Sequence, residues 1–326
     1  MKPRRDERKR PVEAPRPAQN SGVVLRDSAF EAPAPAPLDR LLRDHYAGAS
    51  WNDVRRLVKT GKVTVGGSLA SDPAAVVRAG TPIAVRMAAP KRAAGPVTQD
   101  AIVHLDAHVV VVEKPAGIAT VPYEDERDTL DRLVQGLLRK RARPGTSVAP
   151  LGVVQRLDKD TSGLLVFART TTAKRGLQQQ LRVHTVHRRY LALAHGDVRS
   201  ETFRSRLVDD RGDGFRGSTD NPLIGREAIT HVRRLESFGV ATLVECRLET
   251  GRTHQIRIHL SEAGHPLVGE RVYQRAYEGP VVDAPRLMLH AAELGFEHPV
   301  SGLPLSFESP LPADFQGVLA GLRRKA

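Results

Sequence analysis

The stretch that most constrains the fold is Gln155–Gly163, reading Gln-Arg-Leu-Asp-Lys-Asp-Thr-Ser-Gly. Apolar Leu151, Val153 and Val154 lead into it, and the β-rich run Leu164-Leu165-Val166-Phe167-Ala168 leads out, so a strand enters a polar turn and a strand leaves it. Such a turn sits at a sheet edge. If the lead-in is extended, Arg156 and Asp158 project to one side and Leu157 to the other, into the core, because side chains alternate along a strand. A carboxylate and a guanidinium then share a face. Two plainer readings compete. The Asp158-x-Asp160-x-Ser162-Gly163 spacing opens like a calcium loop, but its closing position holds Arg169 where a bidentate Glu is required. An Asx-rich turn whose side chains satisfy backbone amides would need no function, and for the turn alone that reading stands open.

The rest of the chain shifts the balance. The segment resembles the signature of pseudouridine synthases of the RluA branch, usually written His-Arg-Leu-Asp-x-x-Thr-Ser-Gly, with Gln155 where the His stands. Three further segments match in order: Val110-Val-Val-Glu-Lys-Pro-Ala-Gly117, then Tyr190-Leu-Ala192 with Gly196, then Thr250-Gly-Arg-Thr-His-Gln-Ile-Arg-Ile-His259. The likeness spans roughly residues 100 to 310. It implies an α+β fold with a mixed, largely antiparallel catalytic sheet, and isomerisation of uridine to pseudouridine in RNA without a cofactor.

Composition agrees with a polyanionic partner. The 326 residues carry a net charge of +13, and only 4% are aromatic, which favours tracking of the phosphate backbone over stacking of many bases. No apolar run is long enough for a membrane span, and the charged N-terminus lacks the apolar segment of a secretory signal, so we expect a cytoplasmic protein. A single cysteine, Cys246, excludes internal disulfides and multi-cysteine zinc sites, and its alternating context makes it a buried, inert residue. The histidines lack metalloprotease spacing, so no metal site is expected.

Along the chain, residues 1–35 are rich in Pro, Arg and Ala and read as a disordered basic tail. Residues 36–88 form a small unit: a short helix with Leu38, Leu41, Leu42 and His45, a second helix capped by Ser50 and carrying Val54, Leu57 and Val58, then strands around a Gly66-Gly67 hairpin. With Arg55, Arg56 and Lys59 exposed, this resembles the S4 RNA-binding domain. Residues 89–97 read as a linker, and 98–326 as the catalytic domain. Several β runs in series with few helices between them argue independently for a mixed α+β sheet.

By resemblance, Asp158 is the catalytic carboxylate, able to attack the nucleotide or take a sugar proton, and Tyr190 stacks on the target base. A guanidinium beside a half-buried carboxylate favours its charged form. With Thr253 as the helix N-cap, Arg257 looks into the cleft from a polar face shared with His254, and Arg252 is the alternative partner for Asp158. Arg156 is expected to fill the gap left by an extruded uridine, and Arg252, His254 and Gln255 to contact RNA. We read the chain as a monomeric RNA pseudouridine synthase acting on large-subunit ribosomal RNA. The alternatives are a transfer-RNA enzyme and a non-catalytic RNA-binding or ribosome-assembly factor on the same scaffold.

Overall fold

The structure is a computed structural model, and it describes residues 25–59, 61–70, 73–87, 97–122, 128–143, 145–212, 214–274 and 277–325. The tail before residue 25, all of the expected linker but Val97, and the side chain of Lys59 lie outside the described residues. The chain divides into two compact units, Met1–Lys91 and Arg92–Ala326.

The first unit contains β1 (Ser28–Glu31), β2 (Ala36–Pro37), α1 (Leu38–His45), α2 (Trp51–Lys59), β3 (Val63–Val65), β4 (Ser68–Leu69), β5 (Val76–Val77) and β6 (Pro82–Val85). Its four-stranded sheet runs β1-β6-β3-β4, and β2 pairs with β5. Leu38, Leu42, Val54, Val58, Ile83 and Val85 fill its core. Ser50 caps α2, its hydroxyl accepting from Asp53 N and donating to Asp53 Oδ2. Gly66 and Gly67, at φ +58° and +80°, make the β3–β4 turn, where both central positions need left-handed backbone. The expected tail ends earlier than residue 35. β1 lies inside that stretch because Phe30 stacks on His45 with ring centroids 4.0 Å apart and Ala32 is buried, a long-range partnership that Pro-rich composition hides.

The second unit contains β7 (Ile102–Leu105), β8 (Val109–Lys114), α3 (Leu130–Arg141), β9 (Gly152–Val153), β10 (Ser162–Ala168), α4 (Thr171–Arg182), β11 (His187–His195), β12 (Glu201–Val208), β13 (Gly217–Thr219), β14 (Arg226–Ser237), β15 (Ala241–Leu248), α5 (Gln255–Glu262), β16 (Leu289–Glu297), β17 (Pro304–Glu308) and α6 (Ala313–Arg323). Eleven strands form one sheet in the order β13-β12-β14-β15-β11-β16-β10-β8-β7, with β17 on β16 and β9 on β10. This is the mixed, largely antiparallel α+β sheet expected: β10 runs antiparallel to β8 and parallel to β16.

Both neighbours of β10 explain its sequence. Val109–Val112 on β8 and Leu165 and Phe167 on β10 are wholly buried, hence a continuous apolar run without alternation. Ser162 is tied to His290 Nδ1 at 2.9 Å, and Gly163 sits at φ +110° where a β-carbon would overlap the Ala291 backbone. The Thr-Ser-Gly end of the turn therefore serves the β10–β16 junction. Cys246 is fully buried on β15, and burial pushes its thiol up, away from the reactive thiolate.

Candidate active site

The turn at 155–161 leaves β9 and enters β10 without strand pairing of its own, and three contacts fix its shape. Thr120 Oγ1 donates to Leu157 O at 2.8 Å and accepts from Leu157 N at 3.1 Å. Gly117 N donates to Lys159 O at 2.8 Å. Lys114, wholly buried, donates through Nζ to Pro115 O, Ile118 O and Lys159 O at 3.0, 2.7 and 2.8 Å. Burial lowers the Lys114 pKa to about 7, with Asp160 and Asp158 pulling it back up. Three acceptors need three N–H groups, so the ammonium is the form that satisfies the site. Leu157 packs in the core cluster, and Arg156 and Asp158 are among the residues that line the cavity.

Asp158 faces α5. Arg257 Nη1 donates to Asp158 Oδ2 at 3.2 Å, while Arg257 Nε and Nη2 grip Glu270 Oε2 and Oε1 at 2.7 and 2.8 Å. The guanidinium is thus oriented by a second carboxylate and spends its remaining edge on Asp158. Burial opposes both charges, yet their pairing prevails: Arg257 is held above its ordinary value and Glu270 near 2, the latter also accepting from Val272 N and Arg271 N. Tyr273 lies under the Arg257 guanidinium, 5.2 Å from ring centroid to Cζ, and burial pushes its phenol up to about 12. It shares a 2.7 Å hydrogen bond with His254 Nδ1, and His254 Nε2 lies 3.9 Å from Asp158 Oδ1. Tyr190 projects from β11 into the same cavity, with its phenol pKa raised by burial.

The cavity encloses about 540 Å³, room for a nucleotide. Five buried side-chain polar atoms lack a hydrogen-bond partner among the described residues. Three of them, Gln155 Nε2, Thr161 Oγ1 and Arg188 Nε, belong to residues lining this cavity. Orphaned polar atoms are costly and uncommon, so three of them around one cavity set it apart from the rest of the interior. Among the described residues no cluster of His, Cys, Asp and Glu could hold a metal ion.

The family model described as RNA pseudouridylate synthase matches residues 108–262, from β8 to the end of α5. The ribosomal large subunit pseudouridine synthase D of Zymomonas mobilis is 36% identical over 305 residues, covering 86% of this chain and 91% of that protein. Its counterpart in Xanthomonas campestris is 35% identical over 317 residues, 92% of each chain. The solved structure of human RNA pseudouridylate synthase domain containing 4 shares the fold, with a TM-score of 0.57 at 24% identity over 69% of this chain and 93% of that one. This chain belongs to the RNA pseudouridine synthase family. It is an isomerase that converts uridine in RNA to pseudouridine.

Within the synthase, Asp158, Tyr190, Arg257, Arg156, Arg252, His254 and Gln255 all line one cavity. Arg257, rather than Arg252, reaches Asp158; Arg252 Nε donates instead to Glu227 O at 2.8 Å. The helix start expected at Thr253 lies one residue later. His254 is the N-cap of α5 at φ +59°, and Thr253 Oγ1 accepts from Arg156 Nη2 at 2.7 Å. Gln255 departs from its expected role in RNA contact. It is buried, its Oε1 accepts from Thr250 Oγ1 and Arg252 N, and its Nε2 donates to Ile229 O and Thr230 Oγ1, so its amide is fully used in holding the 250–255 loop.

In the first unit, Arg55 donates to the buried Asp39 at 2.8 Å and Arg56 to Asp53 at 3.2 Å, both guanidiniums keeping substantial exposure. Sequence reasoning missed Glu270 and Arg188, and it placed Lys114 in a family segment without giving it a role. A signal existed only for Arg188, two residues before Tyr190 on the same strand face.

Proposed function

We propose that this synthase acts on uridine in large-subunit ribosomal RNA, with Asp158 as its catalytic carboxylate. The observation carrying this reading is the Asp158–Arg257–Glu270 chain at the wall of a nucleotide-sized cavity that also holds Tyr190. Isomerisation must break the N1–C1′ bond, turn the uracil and rejoin it through C5. A carboxylate held by a fixed guanidinium serves that sequence either by attacking the nucleotide or by taking a sugar proton, and the Arg257 hydrogen bond orients it toward the cavity. Tyr190, kept as a phenol, offers a flat surface to the base and a hydroxyl proton. Arg156 lies exposed at the rim, placed to occupy the space of a flipped-out nucleotide.

Ribosomal RNA is favoured over transfer RNA by the relatives' names and by their coverage of nearly the whole chain. The first unit is read as an S4-like RNA-binding module, and the enzyme as a cytoplasmic monomer. Among the described residues no helix is long and apolar enough to cross a membrane. Mapping pseudouridine across all cellular RNA in a deletion strain tests the substrate. Loss of one or more sites in large-subunit ribosomal RNA, restored by the wild-type gene, is expected. Loss confined to transfer RNA, or no loss, would overturn the assignment.

A further inference from the structure

Arg188 lies on β11 two residues before Tyr190, and alternation along the strand puts both side chains on the cavity face of the sheet. It is nine-tenths buried. Arg188 Nη2 donates to Leu248 O at 3.3 Å and Glu249 O at 2.8 Å, whereas the buried Nε has no partner. Among the described residues no carboxylate makes an ion pair with it, and a second cation, Arg252, acts on it from the lining of the same cavity. Burial holds the guanidinium below its ordinary pKa, with Tyr190 acting against that shift and Arg252 adding to it. Burying such a cation is costly unless an anion arrives with the ligand. In a single strand of RNA the anions are phosphates.

We propose that Arg188, with Arg252 beside it, receives the phosphate flanking the uridine undergoing isomerisation. The proposal rests on the reading of the cavity as the uridine site and names a contact within it. Two further observations support it. Gln155 Nε2, another buried donor without a partner, lines the same cavity, so the unmet groups call for acceptor oxygens. At Gly251 a β-carbon would stand 2.6 Å from Arg188 Nη1, so the glycine leaves room for the guanidinium tip. The competing role, pinning the loop after β15, is shared: His184 Nδ1 also bonds Glu249 O, at 2.6 Å, and would keep that carbonyl paired if Arg188 were removed.

The test uses the full chain and an RNA stem-loop carrying the mapped uridine, synthesised with the natural phosphodiester or with an uncharged methylphosphonate on its 5′ or its 3′ side. Turnover of the natural stem-loop by the wild type is read separately, and its absence would fail the uridine-site reading rather than the phosphate contact. Wild type should bind one methylphosphonate isomer about tenfold more weakly. Arg188→Met should bind the natural RNA weakly to a similar degree, lose nothing further on that isomer, and show a salt slope reduced by about one. Gly251→Ala, which keeps the charge but displaces it, should reproduce the affinity loss, and Arg188→Lys should keep the slope while losing part of the affinity. Multiplying effects of Arg188→Met and the methylphosphonate, or an unchanged salt slope in both Arg188→Met and Gly251→Ala, would overturn the proposal.

Discussion

Glu270 lies 13 residues beyond Arg257 and is more deeply buried than the carboxylate it helps to serve. Its folded pKa near 2 against an ordinary 4.5 has a definite sign. The stabilisation it brings is present above about pH 4.5 and is lost as pH falls toward 2, because the unfolded chain takes up the proton first. The span corresponds to on the order of 3 kcal/mol. Glu270→Gln should therefore flatten the acid limb of a stability-against-pH curve in that window; an unchanged limb would show that the pair does not carry it. Arg257→Met leaves Glu270 as a buried charge without its main partner and should cost about 3–5 kcal/mol in denaturant unfolding. It should also suppress turnover while the salt slope of RNA binding stays put, since Arg257 faces carboxylates and not phosphate. Lys114 acts at one remove, through the backbone of the catalytic turn. Lys114→Met strands the Pro115 and Ile118 carbonyls and should destabilise the protein by about 2–4 kcal/mol, with turnover falling more than RNA affinity.

At the scale of elements, the site depends on β10 lying tightly between β8 and β16. Gly163→Ala must part β10 from β16 and should cost at least about 3 kcal/mol by thermal unfolding. Gly239→Ala, at φ +73° with open space around its β-carbon, should cost only about 1–2 kcal/mol. Equal costs would mean that the close approach is not what requires glycine at 163. The contrast also marks what a sequence can disclose. The turn at 155–163, the strand that leaves it and α5 were legible because hydrophobic periodicity and turn chemistry are local, and Asp158, Tyr190 and Arg257 stood in ordered motifs, whereas β16 was not anticipated. The burial of Lys114, which itself stands in one of those motifs, and the part played by Glu270 were not legible. Such residues are surface residues by type, and their burial comes from partners 45 and 13 positions away. The start of α5 slipped by one residue because His254 takes a left-handed conformation that a Thr-first cap rule does not anticipate. Gln255 looked available for RNA because two of its four partners, Ile229 O and Thr230 Oγ1, come from β14, far away in sequence.

For the whole molecule, a charge of +13 predicts RNA binding that weakens steeply with salt. If the first unit captures RNA, replacing Arg55 and Arg56 together by Gln should reduce the salt slope by up to about two and leave single-turnover rates on bound RNA intact. An unchanged slope would remove that helix from the interface. The central claim, however, is that one carboxylate in one cavity makes this scaffold an enzyme. It is tested most directly by Asp158→Asn assayed for tritium release from RNA labelled at uridine C5, with RNA affinity measured in parallel. The account predicts that release is abolished while affinity stays within a few-fold of wild type; substantial remaining turnover by a folded Asp158→Asn protein would contradict it.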